Sequence, residues 1–285
     1  MNLPETPSAS GPRMRSSRIL RKLRNGEVAI CYKLTLESGR VAEIAAQAGF
    51  DSLWADMEHV PNDWSVIEKQ IWAAKIYDTD VIVRVERGSY SDYIRPLELD
   101  AAGIMVPHVM SLEDAKHVVR MTRFHPVGQR PVDGGNADCA YCGINFNEYL
   151  RQANQERLVI VQIEDHEPLK KLEAIAALEG IDMLFFGPGD FSQSIGAPGQ
   201  WDHPEIARTR QRVAEVCRAH GKFAGTVGGP AQAGDLVAMG YQFLSIGADV
   251  IDLSNGCREL LNQFREKVPA GKETATEKKT KGTYE

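Results

Sequence analysis

A chain of 285 residues with 43% apolar and 25% charged side chains is long enough for one large α/β barrel or two average domains. Its formal charge of −6, with no basic stripe to offset it, argues against nucleic-acid binding. No apolar run approaches the ~20 residues needed to cross a bilayer. The odd set of Cys31, Cys139, Cys142, Cys217 and Cys257 fits reduced thiols in the cytoplasm.

Residues 1–18 carry Arg and Ser but no apolar core or cleavage site of a signal peptide, and read as a flexible arm leading into a helix. VAICYKL (28–34) is a first strand, ESGRVAEIAAQAGF (37–50) a helix with a Gly49 stop, and SLWADMEH (52–59) a second strand. A helix from Trp64 to Tyr77 leads to strand three, DVIVRVERG, and the next helix is shortened or kinked by Pro96. GIMVPHV is strand four, followed by the helix SLEDAKHVVRMTRF. The stretch 125–146, rich in Gly, Asn and Asp, is too long for a plain connector, and such loops are usually active-site covers. Its C-x-x-C, Cys139 and Cys142, has no second pair or paired histidines and reads as an isolated motif match. Residues 147–154 are helical by pattern.

The central unit is 158–190. LVIVQI is a strand ending near Glu164, an amphipathic stretch follows, and MLFF opens into Gly187-Pro188-Gly189-Asp190. A helix over 203–221, strand seven (KFAGTVGG), a short helix, strand eight (YQFLSIGAD) and a closing helix over 250–268 complete the ordered part. Residues 269–285 are poor in apolar side chains and read as a disordered tail. Strand–helix alternation of this length predicts a single (β/α)8 TIM barrel over 19–268, with its chemistry on the loops after the strands. An open doubly wound sheet is the alternative, but CYKLTLESG after strand one carries no dinucleotide or phosphate fingerprint.

A barrel of this kind should collect polar residues just past its strand ends, and the sequence does so: Asp56, Glu58 and His59 after strand two, Arg84 after three, His108 after four, Gln162 and Glu164 after five, and Asp190 after six. In a parallel unit Glu164 and Asp190 reach the same rim, which suits a divalent cation with oxygen ligands: magnesium, manganese or cobalt rather than zinc. Each carboxylate taken alone also fits a helix start favoured by the dipole or a cap. Gln162 shares a strand face with Glu164. Arg84 interrupts an apolar run, which makes it either a structural ion-pair partner or a guanidinium aimed at a substrate oxyanion. His59 lies three residues after Asp56, close enough for one to orient the other, and is suited to move protons near neutral pH.

AGFDSLWADMEHVPND, GIMVPHV, VQIEDHE and FFGPGDFSQSIG together resemble the HpcH/HpaI aldolase family, metal-dependent (class II) pyruvate aldolases. The resemblance covers about residues 20 to 265. It implies that Glu164 and Asp190 hold the divalent metal and that Arg84 contacts the keto oxygen of pyruvate. It also implies that Gly189 and Asp190 meet the substrate carboxylate through their backbone and that His59 is the acid/base centre. Members are homotrimers or homohexamers with active sites between subunits, acting on pyruvate and small aldehydes. Two positions depart from the family's pattern. Glu98, with Asp100 nearby, stands where an aspartate from a neighbouring subunit usually pairs with the histidine, and Lys33 stands where a tryptophan often lines the aldehyde pocket.

The implied reaction is reversible cleavage of a 4-hydroxy-2-oxo acid to pyruvate and an aldehyde through a pyruvate enolate. Three alternatives remain open from sequence: oxaloacetate decarboxylation through the same enolate, a Schiff-base aldolase using Lys33, and a catalytically silent barrel acting as a binding module.

Overall fold

The computed structural model describes residues 11–268; the expected disordered tail and the first ten residues lie outside the described residues. Eight strands alternate with helices: β1 (Ala29–Leu34), β2 (Ser52–Asp56), β3 (Asp80–Arg84), β4 (Gly103–Val106), β5 (Leu158–Ile163), β6 (Met183–Phe186), β7 (Phe223–Val227) and β8 (Phe243–Ala248). Every strand pairs in parallel with the next, and β8 pairs with β1, so the sheet closes into a barrel. The sequence-expected TIM barrel is therefore the fold.

Strand periodicity sorts the side chains into two layers. Ala29, Cys31, Trp54, Ile82, Met105, Ile160, Phe185 and Phe243 point inward and fill the barrel. Leu53, Ala55, Val81, Val83, Ile104, Val159, Val161 and Leu184 point outward beneath the helices. Helix starts follow local chemistry. Ser17, Asp63 and Ser111 accept backbone N–H bonds at the first turns of α1 (Arg18–Arg24), α3 (Trp64–Lys75) and α5 (Leu112–Thr122). The helix containing Pro96, α4 (Tyr90–Glu98), opens with a Ser89–Asp92 capping box and stops two residues past the proline.

Residues 11–17, assigned to a flexible arm by their polarity, are held in place. Met14 is buried against Phe124 and Tyr149, Arg15 ion-pairs with Asp80 at 2.7 Å, and the Ser17 hydroxyl donates to Asp80 at 2.6 Å. Ile19, Leu20 and Leu23 of α1 then plug the N-terminal mouth of the barrel.

The 125–146 loop joins α5 to α6 (Phe146–Glu156), which leads into the N-terminal end of β5. It is a helix-to-strand connection, so within the chain it lies at the end of the barrel away from the strand C-termini and does not cover them. Its centre is a buried Arg130–Asp138 pair (3.0 Å) to which Tyr149 adds a hydroxyl at 2.8 Å. Among the described residues, 250–268 group as a unit of their own. Its helix α11 (Asp249–Lys267) exposes Ile251, Leu253, Leu260, Leu261 and Phe264.

Candidate active site

Closure of the barrel brings the strand C-termini to one rim, and the register places Asp56 beside Arg84 on β2 and β3. Asp56 accepts from Arg84 Nε at 2.9 Å and from a second guanidinium nitrogen, and also meets Lys33 Nζ at 3.0 Å. Glu58 approaches the third guanidinium nitrogen at 3.0 Å. Arg84 is only 4% exposed, a burial that two flanking carboxylates make tolerable. Both Arg84 and Lys33 also lie over Trp54, at 4.7 and 4.9 Å from its ring centroid. Burial alone would raise the Asp56 carboxyl pKa, but the hydrogen bond and charge of Arg84, joined by Lys33, pull it down to about 2.

Three strand positions further round the barrel, Glu164 is buried beneath the rim. Its Oε1 accepts the His108 backbone N–H at 2.9 Å and its Oε2 accepts Gln162 Nε2 at 2.7 Å. Neither donor carries a full charge. Burial pushes the Glu164 carboxyl up to about 7, against the opposing His108 backbone N–H and ring, and the negative charges of Asp190 and Glu58 push it further. Gly187, the turn into α8 (Pro188–Ser194), makes room for this carboxylate: a Cβ there would sit 2.6 Å from Glu164 Oε2. Gly189 and Asp190 are exposed in the first turn of α8.

Two histidines stand at the rim. His59 is 58% exposed, and the carboxylate it meets is Glu58, at 3.4 Å from Nε2. The expected orientation by Asp56 is not what the fold builds, because Asp56 is taken by Arg84 and Lys33. His108 has a left-handed backbone (φ 46°), which turns its N–H onto Glu164 while its ring Nδ1 meets Asp165 at 2.9 Å. Burial acts to lower the His108 pKa, but the Asp165 hydrogen bond and the charges of Glu164, Asp165 and Glu58 outweigh it and raise the pKa.

A family model described as HpcH/HpaI aldolase/citrate lyase matches residues 31–256. The chain belongs to that family. It is 36% identical over 248 residues to 2-keto-3-deoxy-L-rhamnonate aldolase of Salmonella gallinarum, an alignment covering 85% of this chain and 91% of the relative. Among solved structures, an HpcH/HpaI aldolase/citrate lyase family protein from Burkholderia cenocepacia superposes with a TM-score of 0.81 at 33% identity, covering 88% of this chain and all of that one. An HpcH/HpaI aldolase from Desulfitobacterium hafniense gives 0.82 at 28% identity, over 87% of this chain and 96% of that one.

The rim of this HpcH/HpaI aldolase can be tested for fit to a divalent cation. Among the described residues no group of three or more His, Cys, Asp and Glu side chains is arranged to hold one. Glu164 and Asp190 would nonetheless offer two carboxylates whose charges oppose each other, and Glu164 is desolvated, hydrogen-bonded only by neutral donors, with the His108 ring 3.9 Å away. A hard divalent ion relieves that excess of negative charge, so the residues fit.

Gln162, expected to meet substrate, gives its N–H to Glu164, while its buried Oε1 has no partner. Glu98 ends α4, where burial raises its carboxyl pKa and its charged neighbours are Arg130, Asp138, Asp133 and Arg95. The chain does not bring it to its own rim. Asp100 is buried and ion-paired with Lys75 and Arg157, so it has a structural role. Asp165 and the grip of His108 on Glu164 went unread in the sequence; the only signal was a histidine directly after V-P at a strand end.

Proposed function

We propose that this enzyme is a divalent-metal-dependent lyase that reversibly cleaves 4-hydroxy-2-oxo acids to pyruvate and an aldehyde. The observation that carries this reading is Glu164, a buried carboxylate at a strand end whose hydrogen bonds come from two neutral donors and whose one nearby cationic partner among the described residues is the His108 ring, 3.9 Å away. Magnesium, manganese or cobalt held by Glu164 and Asp190 would supply Lewis-acid stabilisation of the charge that develops on the keto oxygen. Arg84 keeps N–H donors beyond the two spent on Asp56, and offers them to that oxygen. The backbone of Gly189 and Asp190 receives the substrate carboxylate. His59 takes the proton of the C4 hydroxyl as the C3–C4 bond breaks, and a proton returned to C3 completes pyruvate. Lys33 at the mouth contacts the aldehyde portion; its ammonium is ion-paired with Asp56, which disfavours a Schiff-base role.

The name of the 36%-identical relative supports a 2-keto-3-deoxy sugar acid, itself a 4-hydroxy-2-oxo acid, as the first substrate to assay. The exposed apolar residues of α11 support a homotrimer or homohexamer, which light scattering would measure. Five free cysteines support a cytoplasmic setting.

A second reading of the proton carrier has a specific observation behind it: His108 and Asp165 form a His–Asp pair inside one chain. Replacing each histidine by alanine separates the two. His59→Ala is expected to slow aldol cleavage roughly 100-fold, and near-normal turnover would hand the role to His108. Pyruvate release should stop in EDTA and return with Mg2+, Mn2+ or Co2+. Activity that survives chelation, together with borohydride trapping of pyruvate on Lys33, would overturn the proposal.

A further inference from the structure

Glu58 takes no part in the reaction as described, yet three rim side chains meet at its carboxylate. Oε2 lies 3.0 Å from Arg84 Nη1 and 3.4 Å from His59 Nε2, and Oε1 lies 3.5 Å from His108 Nε2. The side chain is 13% exposed, whereas those of His59 and His108 are 58% and 36% exposed. Its own backbone is fixed. The Glu58 N–H donates to Asp56 Oδ1 at 3.1 Å, Asn62 Nδ2 holds the Asp56 carbonyl at 2.7 Å, and the Met57 N–H donates to the Arg84 carbonyl at 2.9 Å. These bonds fix the backbone that carries Glu58, and its buried Oε2, without a hydrogen-bond partner, is left as an acceptor for the charged groups around it.

We infer that Glu58 is a positioning residue for this reaction, aiming Arg84 and His59 from within the same chain. The inference rests on the aldolase reading above. For Arg84, Asp56 holds one edge of the guanidinium plane by two hydrogen bonds, and Glu58 Oε2 lies 3.0 Å from the remaining nitrogen as an ion-pair contact without hydrogen-bond geometry, its Oε2 otherwise unpartnered, so turning the fork would separate these charges. For His59, Glu58 is the one ion-pairing partner among the described residues, at 3.4 Å from a ring that otherwise stands in solvent.

The test uses the full-length enzyme with Mn2+ and three variants, Glu58→Gln, Glu58→Asp and Glu58→Ala, each checked by thermal unfolding. In crystal structures of the variants, Arg84 and His59 are expected to leave their wild-type positions in Glu58→Ala. For aldol cleavage, kcat of Glu58→Ala should fall roughly 30- to 100-fold, with KM changed less than about threefold, because misplaced groups cost rate rather than binding. Glu58→Asp should restore part of the loss. Oxaloacetate decarboxylation has no C4 hydroxyl proton to move, so it should fall less. Unmoved Arg84 and His59 side chains, a change in KM alone, or a loss of activity explained by unfolding in Glu58→Ala and Glu58→Gln alike would overturn the inference. A loss confined to Glu98→Gln, with Glu58 variants active, would overturn it too and assign the role to a neighbouring copy. A wild-type enzyme that cleaves no 4-hydroxy-2-oxo acid, with both side chains still held by Glu58, would sink the aldolase reading itself and the inference with it.

Discussion

The two ends of the barrel bury carboxylates in different ways. At the N-terminal end each has cations close to it. Asp51 meets Arg18 and Lys22, Asp80 meets Arg15, and Asp100 meets Lys75 and Arg157. At the C-terminal rim, Asp56, Glu58, Glu164 and Asp165 share Arg84, Lys33 and the histidines, and the hydrogen bonds of Glu164 come only from neutral donors, with the His108 ring 3.9 Å away. Charge that is cancelled locally stabilises; charge left over is free to bind a cation and substrate. The difference separates the structural end of the molecule from its chemical end more sharply than burial does, because both ends are buried.

The largest expected effect breaks the comparison at Glu164. Glu164→Gln should reduce aldol cleavage by roughly a thousandfold or more, since one of the two carboxylates proposed to hold the metal goes with it. In the chelated protein the same change should raise stability at high pH. The folded carboxyl titrates at about 7 against an ordinary 4.5, so the folded state binds the extra proton between those values. The stability it contributes is present below about 4.5 and lost as pH rises through about 7. Removing the ionisable group therefore stabilises by up to roughly 3 kcal/mol at pH 8. Gln162 can turn its amide to meet the new one, since its Oε1 is at present unpartnered. Denaturant unfolding at pH 5 and pH 8 measures the difference; equal stability at both, for wild type and variant, would show that Glu164 carries no such excess.

At the other end the signs reverse. Asp100→Ala leaves Arg157, which is 2% exposed, and Lys75 without their carboxylate, and should cost roughly 3 to 5 kcal/mol of folding stability. Residual folded enzyme should keep its kcat and KM. A variant that is stable but slow would place Asp100 in the chemistry after all.

What the sequence made legible follows the same divide. Strands fully buried on both faces give continuous apolar runs such as LVIVQI and MLFF, so the strand positions and the polar residues past their ends could be read directly. Gly187 through Asp190 and Glu164 fell at one rim because parallel strands leave no other arrangement. The paired N-terminal end could not be read, since Arg15 meets Asp80 and Arg157 meets Asp100 across 65 and 57 residues of chain, and no local pattern encodes such partners. The polarity that made residues 11–17 look like a solvated arm is the charge and hydroxyl supply for Asp80. The contact of His108 with Glu164 was hidden for a different reason. It uses a backbone N–H in a left-handed conformation, which side-chain identity does not announce.

The smallest effect concerns Lys33, the one rim cation whose loss should change selectivity more than rate. Its ammonium touches Asp56 at 3.0 Å and also lies over the Trp54 ring, 4.9 Å from the centroid. Lys33→Met keeps a chain of similar length on the indole and removes the charge. Asp56 retains two contacts from Arg84, so the arginine should stay in place and oxaloacetate decarboxylation should change less than about threefold. Aldol addition to acceptors carrying a carboxylate should weaken by about tenfold relative to uncharged aldehydes, because the variant loses a charged contact at the mouth. A parallel screen of charged and neutral aldehydes with pyruvate reads that ratio directly. An unchanged ratio would reduce Lys33 to a counterion for Asp56, and would make the rim's chemistry depend on Arg84 as its sole functional cation.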